Sequence, residues 1–313
     1  MSSGTSGAIR ARQRLGDRLF SGATIAAGSI ILLVLAAVAI FLVVQSLPVI
    51  SAKPGTLPND APNFWVYVGP LVFGTLWAAL IALIIATPMS IGVALFISHY
   101  APRRLAQGLG YVIDLLAAVP SVVFGLWGIQ VLAPGAQPLY VWLNANLGWI
   151  PFFGGVVSGT GKTVLTAAIV LAVMVLPIMT AVCREVFLQT PRLHEEAALA
   201  LGATKWEMIR IAVLPFGRPG IISAAMLGLG RALGETLAVA MVLSPAIVIN
   251  FFLLTSQNPT PIAANIANQF AEASGIGVST LIASGLVLFV ITFIVNAIAR
   301  LVVNRRRAFS GAN

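Results

Sequence analysis

Six stretches of the chain are apolar for long enough to cross a membrane: Gly22–Ser46, Gly69–Ser98, Leu109–Ala133, Gly161–Leu188, Gly217–Asn250 and Val278–Val303. About 20 helical residues cover about 30 Å of hydrocarbon, so each stretch predicts one transmembrane helix. The second and fifth exceed a single span. Pro88 predicts a kink in the second, because proline lacks the N–H that bonds back one turn. The fifth carries two charges, Arg231 and Glu235. The first is too long for the core of a signal peptide and, with arginines before it, reads as an uncleaved anchor.

The polar positions between these runs set the orientation. An even number of spans puts both termini on one side. Arg10, Arg12, Arg14 and Arg18 precede the first span, and Arg103 and Arg104 separate the second from the third. Arg184, Arg192, Lys205, Arg210 and Arg218 border the loop after the fourth, and Arg300, Arg305, Arg306 and Arg307 end the chain. Only Lys53 and Lys162 fall on the opposite face, and Arg231 lies inside a span. The positive-inside rule then makes both termini cytoplasmic. The expected organisation is a basic tail over 1–21, a six-span transmembrane domain over 22–303 with a cytoplasmic loop at 189–216, and a second basic tail over 304–313.

Composition agrees. Charged residues make up 9% of the 313 and AVILMFWYC residues 59%, against roughly 25% charged in a soluble protein. Mean hydropathy is +0.99. Such a chain cannot cover a water-facing surface, so lipid is its main solvent. A net charge of +9 could suggest nucleic acid, but its clustering between apolar runs argues for membrane topology and against a nucleic-acid partner. The single Cys183 excludes an intrachain disulfide and a cysteine-rich metal site, and suits a small buried hydrophobe.

Several motifs fail on their context. Gly159-Thr160-Gly161-Lys162-Thr163 resembles the end of a phosphate-cradling loop, but Val156 stands where the pattern needs glycine and no strand precedes it. Gly228-Leu229-Gly230 lacks the third glycine of a dinucleotide fingerprint, which would fall at Leu233. His99 and His194 stand apart from any set of Cys, Asp or Glu ligands. Neither a metal site nor a catalytic triad is expected, and no cofactor is expected on this chain.

Residues 47–68 and 134–160 form the expected outer loops. They are rich in aromatics, including Trp65, Tyr67, Tyr140, Trp142, Trp149, Phe152 and Phe153. Two accounts are open: an aromatic belt at the membrane interface, or a docking surface for an external partner. Ile262, Ile266 and Phe270 recur every four residues after Pro261, which predicts a short amphipathic helix on the same face.

The loop after the fourth span predicts two helices in succession. Thr190 can cap the first, with Pro191 at its first position. Leu193, Ala197, Ala198 and Leu201 share one face, and Gly202 can end the helix. Thr204 and Glu207 have the spacing of a capping box, which starts the second. This elbow could rest on lipid or receive another protein closely against its small residues.

In the fifth span, Arg231 and Glu235 are four residues apart and are predicted to share a helix face. An arginine at mid-membrane costs roughly 2.5–3.5 kcal/mol on insertion scales, so it is a functional candidate by default. The alternative is a structural ion pair locking two helices. Gly228, Gly230 and Gly234 allow close packing or leave room for a solute.

Glu196-Ala197-Ala198-x-x-x-Gly202, followed after nine residues by Ala212-Val213-Leu214-Pro215, resembles the EAA loop of ABC importer permeases. Ala212 departs from the isoleucine usual there. The Arg231-Ala232-Leu233-Gly234-Glu235-Thr236 run, with Leu115-Leu116-Ala117-Ala118-Val119-Pro120-Ser121, resembles the phosphate-specific (Pst) branch. The likeness covers residues 20–303. It implies an all-α integral membrane fold of the type I importer kind and a non-enzymatic role as a permease subunit of a phosphate importer. It further implies that Glu196, Ala197, Ala198, Gly202, Leu214 and Pro215 couple to a cytoplasmic ATPase, and that Arg231, Glu235 and Thr236 belong to the transport path. The implied partners are a second, PstA-like permease, two PstB-like ATPase subunits that hold ATP and magnesium, and an external PstS-like phosphate-binding protein. The expected location is the bacterial plasma membrane. Rival expectations are the partner permease, a sulfate or molybdate permease, and a secondary transporter driven by an ion gradient.

Overall fold

The computed structural model describes residues 15–53 and 55–307. Arg10, Arg12, Arg14 and residues 308–313, all within the expected tails, lie outside them.

Among the described residues the architecture is helical apart from one short strand pair, and six helical stretches are long and apolar enough to cross a membrane. Helix α1 (Leu15–Ile50) and α2 (Phe64–Leu95) come first; α2 runs through Pro88 without a break and widens into a π turn at Phe96–Tyr100. Helix α3 (Arg103–Ala117) follows, then α4 (Ser121–Trp127), which continues through a π turn at Gly128–Leu132 into α5 (Ala133–Leu147). Helix α6 (Val164–Leu188) is the fourth crossing. The elbow helices α7 (Arg192–Ala200) and α8 (Lys205–Met208) lead through a π turn at Ile209–Val213 into α9 (Leu214–Gly234). Helices α10 (Leu237–Val242), α11 (Ile262–Gln269) and α12 (Ile276–Arg307) complete the chain.

Two expected spans are redrawn. The apolar run at Leu109–Ala133 is divided at Pro120: α3 ends at Ala117, and the crossing is Ser121–Leu147. Proline disfavours helical backbone in the residue before it, which stops α3 there. Helix α3 is strongly amphipathic, with Gly110 and Ile113 inward and Asp114 exposed. Residues 134–147, expected in an outer loop, therefore belong to helix α5. The fifth crossing also differs, running over Lys205–Gly234 instead of Gly217–Asn250.

Burial separates the helices by role. In the most apolar stretch of α1 no residue is buried, whereas 67% of the corresponding stretch of α6 is. Helix α1 lies against α12 and presents Leu32, Leu33, Leu35 and Ile40 outward. A helix apolar all round has its exposed side matched by lipid. Helix α6 packs between α2 and α9, and Ala167, Ala168, Leu171, Met174, Met179 and Phe187 form the centre of the main core.

The loop after α10 is irregular yet inside the fold, which is tolerated only where other protein groups satisfy its backbone. Here β1 (Pro245–Ala246) and β2 (Asn258–Pro259) pair in parallel. The fully buried Asn258 accepts the Val164 N–H at 2.9 Å, and its Nδ2 shares two hydrogens among the carbonyls of Lys162, Ser244 and Ser256. One side chain thus caps α6 and holds three loop segments. Tyr67 receives a hydrogen bond from Asn265 at 2.9 Å and donates to Gln269, tying α11 to α2. The expected amphipathic helix is α11, with Ile262 buried and Phe270 exposed at its end. Tyr67 and Tyr140 belong to the core, while Trp65, Trp142 and Trp149 are exposed.

Candidate functional site: a broken helix with an unpaired arginine, and an elbow

Helix α9 approaches α6 closely at Gly228. A Cβ there would stand 2.7 Å from Met179 Sδ and 3.5 Å from Leu83 Cδ2. Gly230 and Gly234 have nothing within 4 Å of the equivalent position. The three glycines therefore divide the two expected roles: Gly228 permits helix contact, and the other two border open space. Arg231 leaves α9 in its last turn, about 60° around the axis from Gly228.

The predicted shared helix face of Arg231 and Glu235 is not formed. Helix α9 ends at Gly234, and Glu235 is extended, with φ −69° and ψ 130°. Thr236 follows as the residue before α10, its hydroxyl donating to the Gly234 carbonyl at 3.2 Å. Glu235 Oε1 instead accepts the Ala238 N–H at 3.2 Å, satisfying a donor in the first turn of α10. No ion pair within 4.0 Å joins Arg231 to Glu235, so the structure does not form the alternative of a structural Arg231–Glu235 pair. Glycine is a poor helix former, so Gly234 favours the break, and the Glu235 carboxylate bonded to the Ala238 N–H opens the next helix.

Arg231 is half-buried, and its Nε is fully buried with no hydrogen-bond partner. Its charge stands at the C-terminal end of α9, where the helix dipole favours a cation. The guanidinium keeps donors in a planar fork that matches the oxygens of a tetrahedral anion. What the break assembles is a positive group whose Nε donor is unmet, beside glycines that leave space.

The elbow forms as expected at its turn. Gly202 has φ +85°, and the N–H groups of Gly202 and Ala203 return to the carbonyls of Leu199 and Ala198. Thr204 and Glu207 make the full capping box, with the Thr204 N–H at 2.8 Å from Glu207 Oε2. The start of α7 differs. Pro191 is the residue before the helix, no side chain caps it, and the Thr190 hydroxyl is buried without a partner. Proline sets the entry angle alone. Glu196, Ala197, Leu193 and Leu201 are exposed, and Ala198 packs inward. Leu214 and Pro215 open α9 beyond the π turn, against which α7 packs. His99 and Glu195, 3.5 Å apart, link the end of α2 to α7. His99 carried no sequence signal beyond its isolation, and only tertiary packing reveals the contact.

Residues 87–308 match the profile of a family described as "Binding-protein-dependent transport system inner membrane component". The phosphate transport system permease protein PstC 2 of Mycobacterium tuberculosis (strain ATCC 25618 / H37Rv) is 47% identical over 298 residues, covering 92% of this chain and 91% of that protein. The protein named PstC in Haemophilus influenzae (strain ATCC 51907 / DSM 11121 / KW20 / Rd) is 37% identical over 309 residues, covering 94% and 95%. A solved bacterial ABC transporter involved in the import of the acidic polysaccharide alginate shares the fold with a TM-score of 0.62 at 16% identity, over 92% of this chain and 96% of that one. An inward-facing MetNI methionine ABC transporter superposes with a TM-score of 0.52 at 17% identity, over 77% and 96%. The chain belongs to the family of inner membrane components of binding-protein-dependent transport systems, as a multi-pass membrane protein with the fold of a type I ABC importer permease.

Proposed function

We propose that this chain is a permease subunit of an ATP-driven inorganic phosphate importer. Arg231, Glu235 and Thr236 line the anion path, and the α7–α8 elbow transmits the ATPase cycle. The observation that carries the reading is Arg231 Nε, buried and unpartnered at the break after α9. The names of relatives 37–47% identical over most of the chain give the substrate class. Both termini and the elbow are cytoplasmic on this reading, following the arginine distribution.

The chain itself performs no covalent chemistry. ATP and magnesium reside on two PstB-like subunits, a PstA-like permease completes the path, and a PstS-like protein delivers phosphate from outside. The permease contributes differential affinity: a passing phosphate exchanges water for Arg231 donors in one state and loses them in the other. Glu235 spends Oε1 on Ala238, which leaves its second oxygen for the proton that phosphate keeps near neutral pH and sulfate lacks.

The test is ATP hydrolysis by the assembled complex as loaded binding protein is added. Stimulation by phosphate-loaded and not sulfate-loaded protein supports the reading. Equal stimulation by both changes the solute to oxyanions in general, and no stimulation removes the importer assignment.

A further inference from the structure

A second cluster of cationic donors lies at the end of the bundle that carries the elbow. A cavity of ≈ 580 Å³ opens between the end of α2, one face of α3 and the junction of α6 with α7. Arg103, Arg184 and Arg192 line it, with Asp114 as the one carboxylate in the lining. Formal charge around the cavity is therefore positive. Arg231 is not part of this lining, so the cluster is a separate feature.

Arg184 is placed by packing. A Cβ on the buried Gly110 of α3 would collide with Arg184 Nη1, so the missing side chain makes the space that the guanidinium occupies. Arg184 Nε is buried and has no hydrogen-bond partner. A charged donor buried without an acceptor is destabilising, and an anion supplies the acceptor. Planar guanidinium groups lining one cavity from α3, α6 and α7 suit phosphate oxygens. Asp114 adds the opposite preference and suits a ligand that also donates a hydroxyl. Tyr111 and Leu188 complete an apolar rim, and Val112 and Leu115 expose further apolar surface along α3.

We propose that this cavity is a phosphate-group site, in which Arg103, Arg184 and Arg192 bind the phosphate oxygens and Asp114 accepts from a hydroxyl. Two sources carry that chemistry: the headgroup of an anionic glycerophospholipid at the membrane surface, and free phosphate on the same side. Basic cavities between transmembrane helices are a known setting for anionic headgroups.

Binding is measured on the assembled complex carrying Arg231→Gln, which removes the other anion-binding arginine, and on the same complex with Arg103→Gln and Arg192→Gln added. Both added positions are exposed, so their replacement removes little packing. Native mass spectrometry reads retained phosphatidylglycerol against phosphatidylcholine, and equilibrium dialysis reads labelled inorganic phosphate in phosphatidylcholine alone. A fivefold or greater loss of phosphatidylglycerol assigns the headgroup, and a comparable loss of phosphate binding assigns the free anion. Equal binding of both probes to the two complexes overturns the site. Arg103→Gln alone, on α3 and outside the elbow helices, keeps the comparison decisive if the variant carrying both added changes fails to assemble. Neither readout depends on uptake, so failure here is distinguishable from failure of the importer assignment.

Discussion

Replacing Arg231 with glutamine separates a transport role from a structural one. The structure gives Arg231 Nε no protein acceptor and no ion-pair partner within 4.0 Å. Removing the charge therefore orphans no identified partner at Nε. It also removes the cost of keeping a half-buried charge in the last turn of the crossing. The purified complex should show a Tm unchanged or higher, with no fall beyond about 2 °C, the shift that about 1 kcal/mol gives in a chain of this size. Transport should respond in the opposite direction. One charge-assisted hydrogen bond to the anion contributes about 1.5–3 kcal/mol, so its loss lowers uptake about 10- to 150-fold. Arg231→Lys keeps the charge but loses the planar fork, and should fall between the two. The assay is labelled-phosphate uptake by proteoliposomes beside thermal unfolding of the same preparation. A Tm lowered by several degrees in Arg231→Gln, with uptake lost only in proportion to folded protein, would refute the reasoning and make Arg231 a structural residue.

Other consequences follow from single contacts. Glu235→Gln retains a carbonyl oxygen for the Ala238 N–H and should keep phosphate uptake while sulfate becomes a competitor; unchanged selectivity eliminates the proton-reading role. Gly202→Ala places a Cβ at φ +85°, at a cost of about 1–2 kcal/mol, and should weaken co-purification of the ATPase without reducing membrane insertion. Gly74→Ala would bring a Cβ to 2.6 Å from the Pro259 carbonyl and 2.7 Å from that of Thr260, destabilising by about 1–3 kcal/mol through overpacking. Gly92→Ala, on the same helix with nothing within 4 Å, should be neutral or stabilising by about 0.5–1 kcal/mol, as thermal unfolding of the two variants would reveal.

Hydropathy made the crossings legible because lipid demands about 20 apolar residues whatever the tertiary contacts. The elbow was legible because Gly202, Thr204 and Glu207 act through neighbours three or fewer residues away. Legibility failed where a local pattern met a backbone break. Leu109–Ala133 is apolar enough to span, yet Pro120 divides it, and α3 keeps Asp114 exposed beside a basic cavity. Likewise a spacing of four between Arg231 and Glu235 implies a shared face only if the helix continues, and it stops at Gly234. Trp142 and Tyr140 looked alike as loop aromatics, but Tyr140 is buried and bonded to Thr166 at 2.8 Å. The contacts of Asn258 with Val164, of Arg184 with Gly110 and of His99 with Glu195 join residues 74–96 positions apart. No single-sequence period encodes such distances.

Vesicle uptake is the direct test of ATP-driven phosphate import. Proteoliposomes containing this chain with its partner permease and ATPase would be given labelled phosphate and binding protein outside, with or without ATP inside. Uptake should require internal ATP and remain unchanged by excess sulfate. Uptake that proceeds without ATP and follows an ion gradient would contradict it.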